Sequence, residues 1–256
     1  MKAQPGVLWP IRINRYLASC GLGSRRSCED LVREGRIKVN GQIVRTLGQK
    51  ISAEDKVEID GSLLLRPQQK QYFLFYKPRG IVCSRKDPFG GKTIYDLLPS
   101  SLHHLFSVGR LDKDSEGLLL LTNDGLLANA VLHPRYHFAK TYIVTLCPSF
   151  EEKHQKDLLK GMYIEGKRAK ADKVIIENKN TLKIVLSQGM KRQIRTMLSL
   201  LGYKVTRLRR VALGPLTLKR MKPGELRSLT EREIKSLYGA FELLTQKGPG
   251  QKNNPI

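Results

Sequence analysis

The sequence predicts an α+β chain of two units, a small one over residues 11–66 and a larger, strand-rich one over 72–240. Three observations predict it. Two short helical patterns run straight into an Asn-Gly turn signal. Residues 67–71, Pro67 to Gln71, hold no apolar side chain and read as a linker. Beyond them, apolar runs and alternating segments outnumber helical ones.

In the first unit, Ile13, Tyr16 and Leu17 carry a helical stripe that Gly21 and Gly23 end. Ser24 is a candidate N-cap for a second helix from Arg25 to Glu34, closed by Gly35. Ile37 and Val39, then Asn40-Gly41, then Ile43 predict a tight hairpin. Val57 to Ile59 suggests a third short strand.

In the second unit, Tyr72 to Tyr76 reads as a buried strand that stops at Lys77-Pro78. Leu118 to Thr122 is another, ended by Asn123-Asp124-Gly125. Lys140 to Leu146 alternates, and Leu182 to Leu186 is a further strand candidate. One helix is plain, with Ile194, Met197, Leu198 and Leu201 on one face and Gly202 as its stop. After Leu244 the composition turns to Gly, Pro, Gln, Lys and Asn, so 245–256 is expected to be a disordered tail.

Charge narrows the function. Forty-six Lys and Arg face 23 Asp and Glu across 256 residues, a net +23. Such an excess repels itself unless a polyanion is near. No stretch approaches the ~20 apolar residues of a membrane span. Met1 to Pro10 lacks the apolar core of a secretory signal, so a cytosolic, non-membrane protein is expected. Cys20, Cys28, Cys83 and Cys147 are too scattered for a disulfide frame or a zinc site.

Residues 189–223 hold ten cations and no acid, among them Lys191, Arg192, Arg195 and Arg210. On the helix there, Arg192, Arg195 and Ser199 are expected opposite the apolar stripe, a cationic face suited to phosphates. Arg25 and Arg26 stand in the first turn of the second helix, where they oppose the helix dipole. A phosphate at that N-terminus would offset the cost.

Ser24-Arg25-Arg26, followed by Glu34-Gly35-Arg36-Ile37-Lys38-Val39-Asn40-Gly41, resembles the small αL RNA-binding module shared with a small-subunit ribosomal protein. The second unit is similar to the pseudouridine synthases that carry this module in front and modify ribosomal RNA. The similarity rests on four stretches. They are Tyr76-Lys77-Pro78-Arg79-Gly80; Val108-Gly109-Arg110-Leu111-Asp112 with Gly117 through Gly125; Lys140-Thr141-Tyr142-Ile143-Val144; and Gly189-Met190-Lys191-Arg192-Gln193-Ile194-Arg195. Gln188 stands where the family often has an acid.

The resemblance implies a mixed, mostly antiparallel central sheet. It also implies Asp112 as the catalytic carboxylate, Tyr142 as the active-site aromatic, and Arg195 as a cation paired with Asp112. Arg25, Arg26, Arg36, Lys77, Arg110, Lys191 and Arg192 are the expected RNA contacts. The segment Ser84 to Leu98 resembles the large-subunit members. The expected partner is ribosomal RNA or a ribosomal subunit assembly intermediate, bound by a monomer.

The chemistry fits these residue types. Pseudouridine forms when the N1–C1′ bond breaks, the base turns, and C5 joins C1′. Nothing is oxidised or reduced, so no cofactor is expected. A carboxylate can attack C1′ or take the C2′ proton. An aromatic beside the pocket supports a uridine taken out of its stack.

Other readings compete. Asp112 alone could be a turn residue, Tyr142 a strand aromatic and Arg195 a phosphate ligand. Asp112-x-Asp114-x-Glu116-Gly117 opens like a calcium loop, but its twelfth position is Asn123. His133 and His137 are four apart, yet Pro134 lies between them and no thiol is near in sequence. A non-catalytic RNA-binding or assembly factor would explain the charge but not the setting of Asp112, Tyr142 and Arg195. A metal-dependent nuclease using Asp112, Asp114 and Asp124 lacks a convincing ligand set.

Overall fold

The computed structural model describes residues 9–64, 69–133 and 136–246, side chains after residue 240 excepted. The chain divides into two compact units, Met1–Lys70 and Gln71–Ile256. Most of the expected linker and tail, residues 67–68 and 247–256, lies outside the described residues.

Unit one runs β1 (Ile11–Arg12), α1 (Ile13–Ser19), α2 (Arg25–Arg33), β2 (Ile37–Val39), β3 (Gln42–Ile43), β4 (Lys50–Ile51), β5 (Val57–Ile59) and β6 (Ser62–Leu63). Ser24 caps α2, its hydroxyl accepting from the Ser27 amide at 3.1 Å. Such a cap is worth about 1 kcal/mol. Asn40 and Gly41 both take positive φ, 51° and 82°, the turn that joins twisted antiparallel strands. Asp60-Gly61 repeats the device between β5 and β6. The four strands order as β3-β2-β5-β6, and β1 pairs with β4. Ile13, Leu17, Cys28, Val32, Ile37 and Ile51 form the core between helices and strands.

Unit two begins with β7 (Tyr72–Lys77), β8 (Phe106–Val108), β9 (Glu116–Thr122), α3 (Gly125–Leu132) and β10 (Lys140–Cys147). It continues through α4 (Gln155–Lys160), β11 (Met162–Ile164), β12 (Lys167–Ala169), β13 (Lys173–Asn178), β14 (Thr181–Leu186) and α5 (Gln193–Leu200). The last elements are β15 (Lys204–Leu213), β16 (Leu216–Thr217), β17 (Leu226–Ser228) and α6 (Glu231–Gln246). The sheet is mixed and mostly antiparallel, as the resemblance implies. Its order is β13-β14-β10-β15-β9-β7-β17, with β8 added on β9 and β16 on β15. Only β9 and β15 pair in parallel among the described strands.

β9 is buried along its whole length. Period-two alternation divides it between two cores. Leu118 and Leu120 join Leu74, Leu127 and Leu237, while Leu119 and Leu121 join Phe75, Ile94 and Leu105. A third core sets Val144, Leu182 and Ile184 against Ile194, Met197 and Leu198 of α5.

Three expectations are refined by the structure. Asn123-Asp124-Gly125 ends a strand but also starts α3, because the Asp124 carboxylate accepts from the Leu126 and Leu127 amides. α6 continues to Gln246, two residues into the tail expected from 245, and the rest of that tail lies outside the described residues. β15, a central strand, lies in the segment read only as a cationic surface. No helix among the described residues is long and apolar enough to cross a membrane.

Candidate active site

A cleft of about 760 Å³ opens in unit two. Asp112, Lys140, Tyr142, Arg192 and Arg210 are among the side chains lining it. Asp112 stands on the turn between β8 and β9, and Tyr142 on β10. In register, Tyr142 faces Arg210 of β15 at an irregularity in the pairing. β15 in turn meets β9 at Gly117.

Gly117 is what permits that meeting. It has φ 113°, and a Cβ there would run into the Arg210 carbonyl and lie 2.8 Å from its amide nitrogen. Only glycine accepts both the backbone angle and the approach.

The Asp112 turn is held from two sides. Ser115 N donates to the Asp112 carbonyl at 3.0 Å. Gly80 N donates to the Lys113 carbonyl at 2.7 Å, and Leu111 N donates to Cys83 Sγ at 3.4 Å. Lys77 Nζ donates to three carbonyls, Ser115 at 2.7 Å, Pro78 at 3.0 Å and Asp112 at 3.2 Å. Lys77 is 0% exposed. It was expected among the RNA contacts. The correction is physical: its ammonium is enclosed by backbone oxygens and is not presented to solvent. Burial pushes its pKa down, and the charges of Cys83, Asp112, Asp114 and Glu116 oppose that shift.

From the other side, α5 supplies Arg195 and its N-cap residue Arg192. Arg192 has a left-handed backbone, φ 52°. Its guanidinium reaches the Asp114 carboxylate at 3.2 and 3.3 Å. Arg195 lies 3.3 Å from Asp114 Oδ2, and donates to the Asp114 carbonyl at 2.9 Å and the Val205 carbonyl at 3.0 Å.

The expected Asp112–Arg195 pair is therefore not formed, because Asp114, two residues on, takes the guanidinium. Arg195 is turned inward, its side chain 10% exposed, rather than standing on a solvated phosphate face. Burial pushes its pKa down from the ordinary arginine value, and the charges of Asp114 and Asp112 counter that shift. Among the described residues, no cation lies within 4.0 Å of the Asp112 carboxylate.

Two cations of the cleft, Arg210 buried and Lys140 half-buried, were given no site role from the sequence. Arg210 is 3% exposed. Its Nε donates to the Leu118 carbonyl at 2.8 Å, and its Nη2 is buried with no hydrogen-bond partner among the described residues. Lys140 donates to the Phe138 carbonyl at 2.8 Å. Burial first, and the charge of Arg210 second, push its pKa down to about 8. The signal was present only as alternation: Lys140 opens a strand and Arg210 follows buried Leu208 at a spacing of two.

The other expected RNA contacts are exposed. Arg110 and Lys191 line the cleft with Arg192. Arg25 and Arg26 lie on the first turn of α2 in unit one. Arg36 is held by Asp60 at 2.6 Å and by Glu34 at 3.4 Å. Gln188, where an acid was expected, accepts from Lys170 N and from Gln193 Nε2.

The family described as RNA pseudouridylate synthase matches residues 71–200, and the S4 domain matches residues 11–57. An uncharacterized RNA pseudouridine synthase of Aquifex aeolicus (strain VF5) is 42% identical over 239 residues, covering 91% of this chain and 96% of the relative. Ribosomal large subunit pseudouridine synthase B of Bacillus subtilis (strain 168) is 36% identical, covering 88% of this chain and 95% of the relative. A crystal structure of a pseudouridylate synthase, 34% identical, superposes with a TM-score of 0.66 over 89% of this chain and 99% of that one.

Proposed function

The chain belongs to the RNA pseudouridylate synthase family, and from that premise we propose that it converts one uridine of large-subunit ribosomal RNA to pseudouridine with the carboxylate of Asp112. The observation that carries the role of Asp112 is its setting. It is the acid of the cleft that no cation binds within 4.0 Å, while its neighbour Asp114 is engaged by two arginines. A carboxylate free of an ion pair can approach the sugar, either attacking C1′ or taking the C2′ proton.

Tyr142, beside it on the cleft wall, supports the flipped uracil. Arg195 acts as a positioning residue through Asp114. Arg110, Lys191 and Arg192 receive phosphates at the rim, and Arg25, Arg26 and Arg36 of unit one add affinity for structured RNA. The isomerisation balances within the nucleotide, so no cofactor enters the scheme. The protein acts as a monomer in the cytoplasm, on ribosomal RNA or a subunit assembly intermediate. The large-subunit assignment is supported by the similarity to the Bacillus subtilis relative and by the segment Ser84 to Leu98.

Release of tritium from RNA labelled at uridine C5, with chelator present, tests the reaction. Mapping pseudouridine in ribosomal RNA from cells lacking the protein tests the target. A missing modification confined to small-subunit RNA would move the assignment.

A further inference from the structure

The loop between β7 and β8 presents Phe89 to solvent, 93% exposed. It is the most exposed of the large apolar side chains among the described residues. The ring belongs to none of the three cores in this unit. Leaving a phenylalanine in water forgoes roughly 2 kcal/mol of burial.

The turn that carries the ring is built. The Asp87 carboxylate accepts from Phe89 N at 3.3 Å and from Gly91 N at 3.1 Å, and its carbonyl accepts from Gly90 N at 3.1 Å. Pro88 fixes its own φ, and Gly90 takes φ 72°. The ends of the loop are fastened by Val82 N to the Lys92 carbonyl and by Ile94 N to the Val82 carbonyl. Arg85 lies over the Tyr95 ring at 4.8 Å and donates to the His103 carbonyl.

The turn also adjoins the cleft. A Cβ at Gly91 would lie 3.3 Å from Lys113 Nζ, and Lys113 follows Asp112. Arg85, Lys86, Lys92, Lys113 and Arg110 are all exposed here, and the Asp87 carboxylate is occupied by amides. An exposed ring among exposed cations is the composition of a surface for single-stranded nucleic acid.

We propose that Phe89 is a stacking platform for an RNA base flanking the target uridine, with Lys86, Lys92 and Lys113 meeting the adjoining phosphates. This rests on the RNA-modifying reading above. When the uridine leaves its stack, its neighbour loses a stacking face, and the Phe89 ring replaces it.

The test uses the full chain and the ribosomal RNA fragment it binds most tightly, with 2-aminopurine placed in turn at each unpaired position. Phe89→Ala should weaken binding about 5- to 150-fold, the range that one base–aromatic stack spans. Phe89→Tyr and Phe89→Trp should restore it. One 2-aminopurine position should be quenched by the wild type and not by Phe89→Ala.

Equal affinity of wild type and Phe89→Ala would overturn the proposal. So would a defect that appears with ribosomal subunits but not naked RNA, which would assign the ring to a protein partner. Affinity is read without turnover. A wild type that binds and is quenched but releases no tritium would overturn the broader reading and leave the platform standing.

Discussion

Arg195 holds Asp114 at two points: its Nε lies 3.3 Å from the carboxylate, and its Nη2 donates 2.9 Å to the carbonyl of the same residue. Lys77 holds the same turn from β7 through the carbonyls of Asp112 and Ser115. Asp112 is thus fixed between two buried cations while its carboxylate is bound by neither.

The first prediction separates the two aspartates. Asp112→Asn should reduce tritium release by at least about 10²–10⁴ while leaving the melting temperature and RNA affinity near wild type. Asp114→Asn should lower activity but leave it measurable, because the reacting carboxylate remains and only its support is weakened. Near-normal turnover by a folded Asp112→Asn protein would remove Asp112 from the mechanism.

The second prediction is acid sensitivity through Asp114. Burial raises its pKa, but the Arg192 hydrogen bond and the charges of Arg195 and Arg192 outweigh that, so the net shift is downward from 3.8. A depressed carboxylate stabilises the fold above the unfolded value and loses that contribution as pH falls through the folded one. Wild type should therefore lose stability below about pH 4 more steeply than Asp114→Asn in urea titrations. Parallel acid limbs for the two proteins would contradict the clamp.

Third, Lys77→Met should destabilise unit two by about 3 kcal/mol or more, because three carbonyl acceptors lose a charged donor. Its effect on RNA affinity of the remaining folded protein should be small. A stable Lys77→Met protein with weakened binding would return Lys77 to the RNA surface.

Fourth, Lys140 should be half charged near pH 8, readable from the shift of its ε-carbon in NMR. Its folded pKa lies below the ordinary 10.5, so stability should rise as pH climbs from about 8 toward 10.5. If the charge serves substrate binding, kcat/KM should fall above pH 8, and Lys140→Arg should remove that fall. An unshifted Lys140 resonance titrating near 10.5 would refute it.

Fifth, removal of residues 1–68 should leave unit two folded and weaken RNA binding, with slow turnover on a short RNA at high concentration. Salt should weaken the full chain by roughly 0.7–0.9 log units per log salt for each phosphate contacted, and the truncated chain by fewer. Equal salt slopes would place all phosphate contacts in unit two.

The elements legible in the sequence were those specified locally. Ser24, Asn40-Gly41 and the Ile194–Leu198 stripe each act within a few residues, so periodicity and turn chemistry found them. β15 was hidden because Lys204, Arg207, Arg209 and Arg210 mask its alternation. It is a strand because β10 and β9 flank it. Composition also counts charges without direction. Lys77, Arg195 and Arg210 entered a basic total, yet all three turn toward backbone carbonyls. Asp112 and Tyr142 line one cleft, but they were picked out by resemblance, since neither has a local pattern that distinguishes it. Arg195 went to Asp114 because a guanidinium's partner depends on a loop 81 positions away in sequence.

The parallel pairing of β9 with β15 sets the order in which the protein can mature. Arg210 donates to the Leu118 carbonyl across 92 positions of sequence. During synthesis, β9 leaves the ribosome long before its neighbour exists, and closing so large a loop is slow. Until then, β7 and β8 already line most of β9, and only the end that β15 covers, at Glu116 and Gly117, stays open. The Asp112 turn gains its last supports only when α5 and β15 arrive. A truncated product ending before Lys204 would carry Asp112 and Tyr142 yet lack the strand that joins their halves of the sheet.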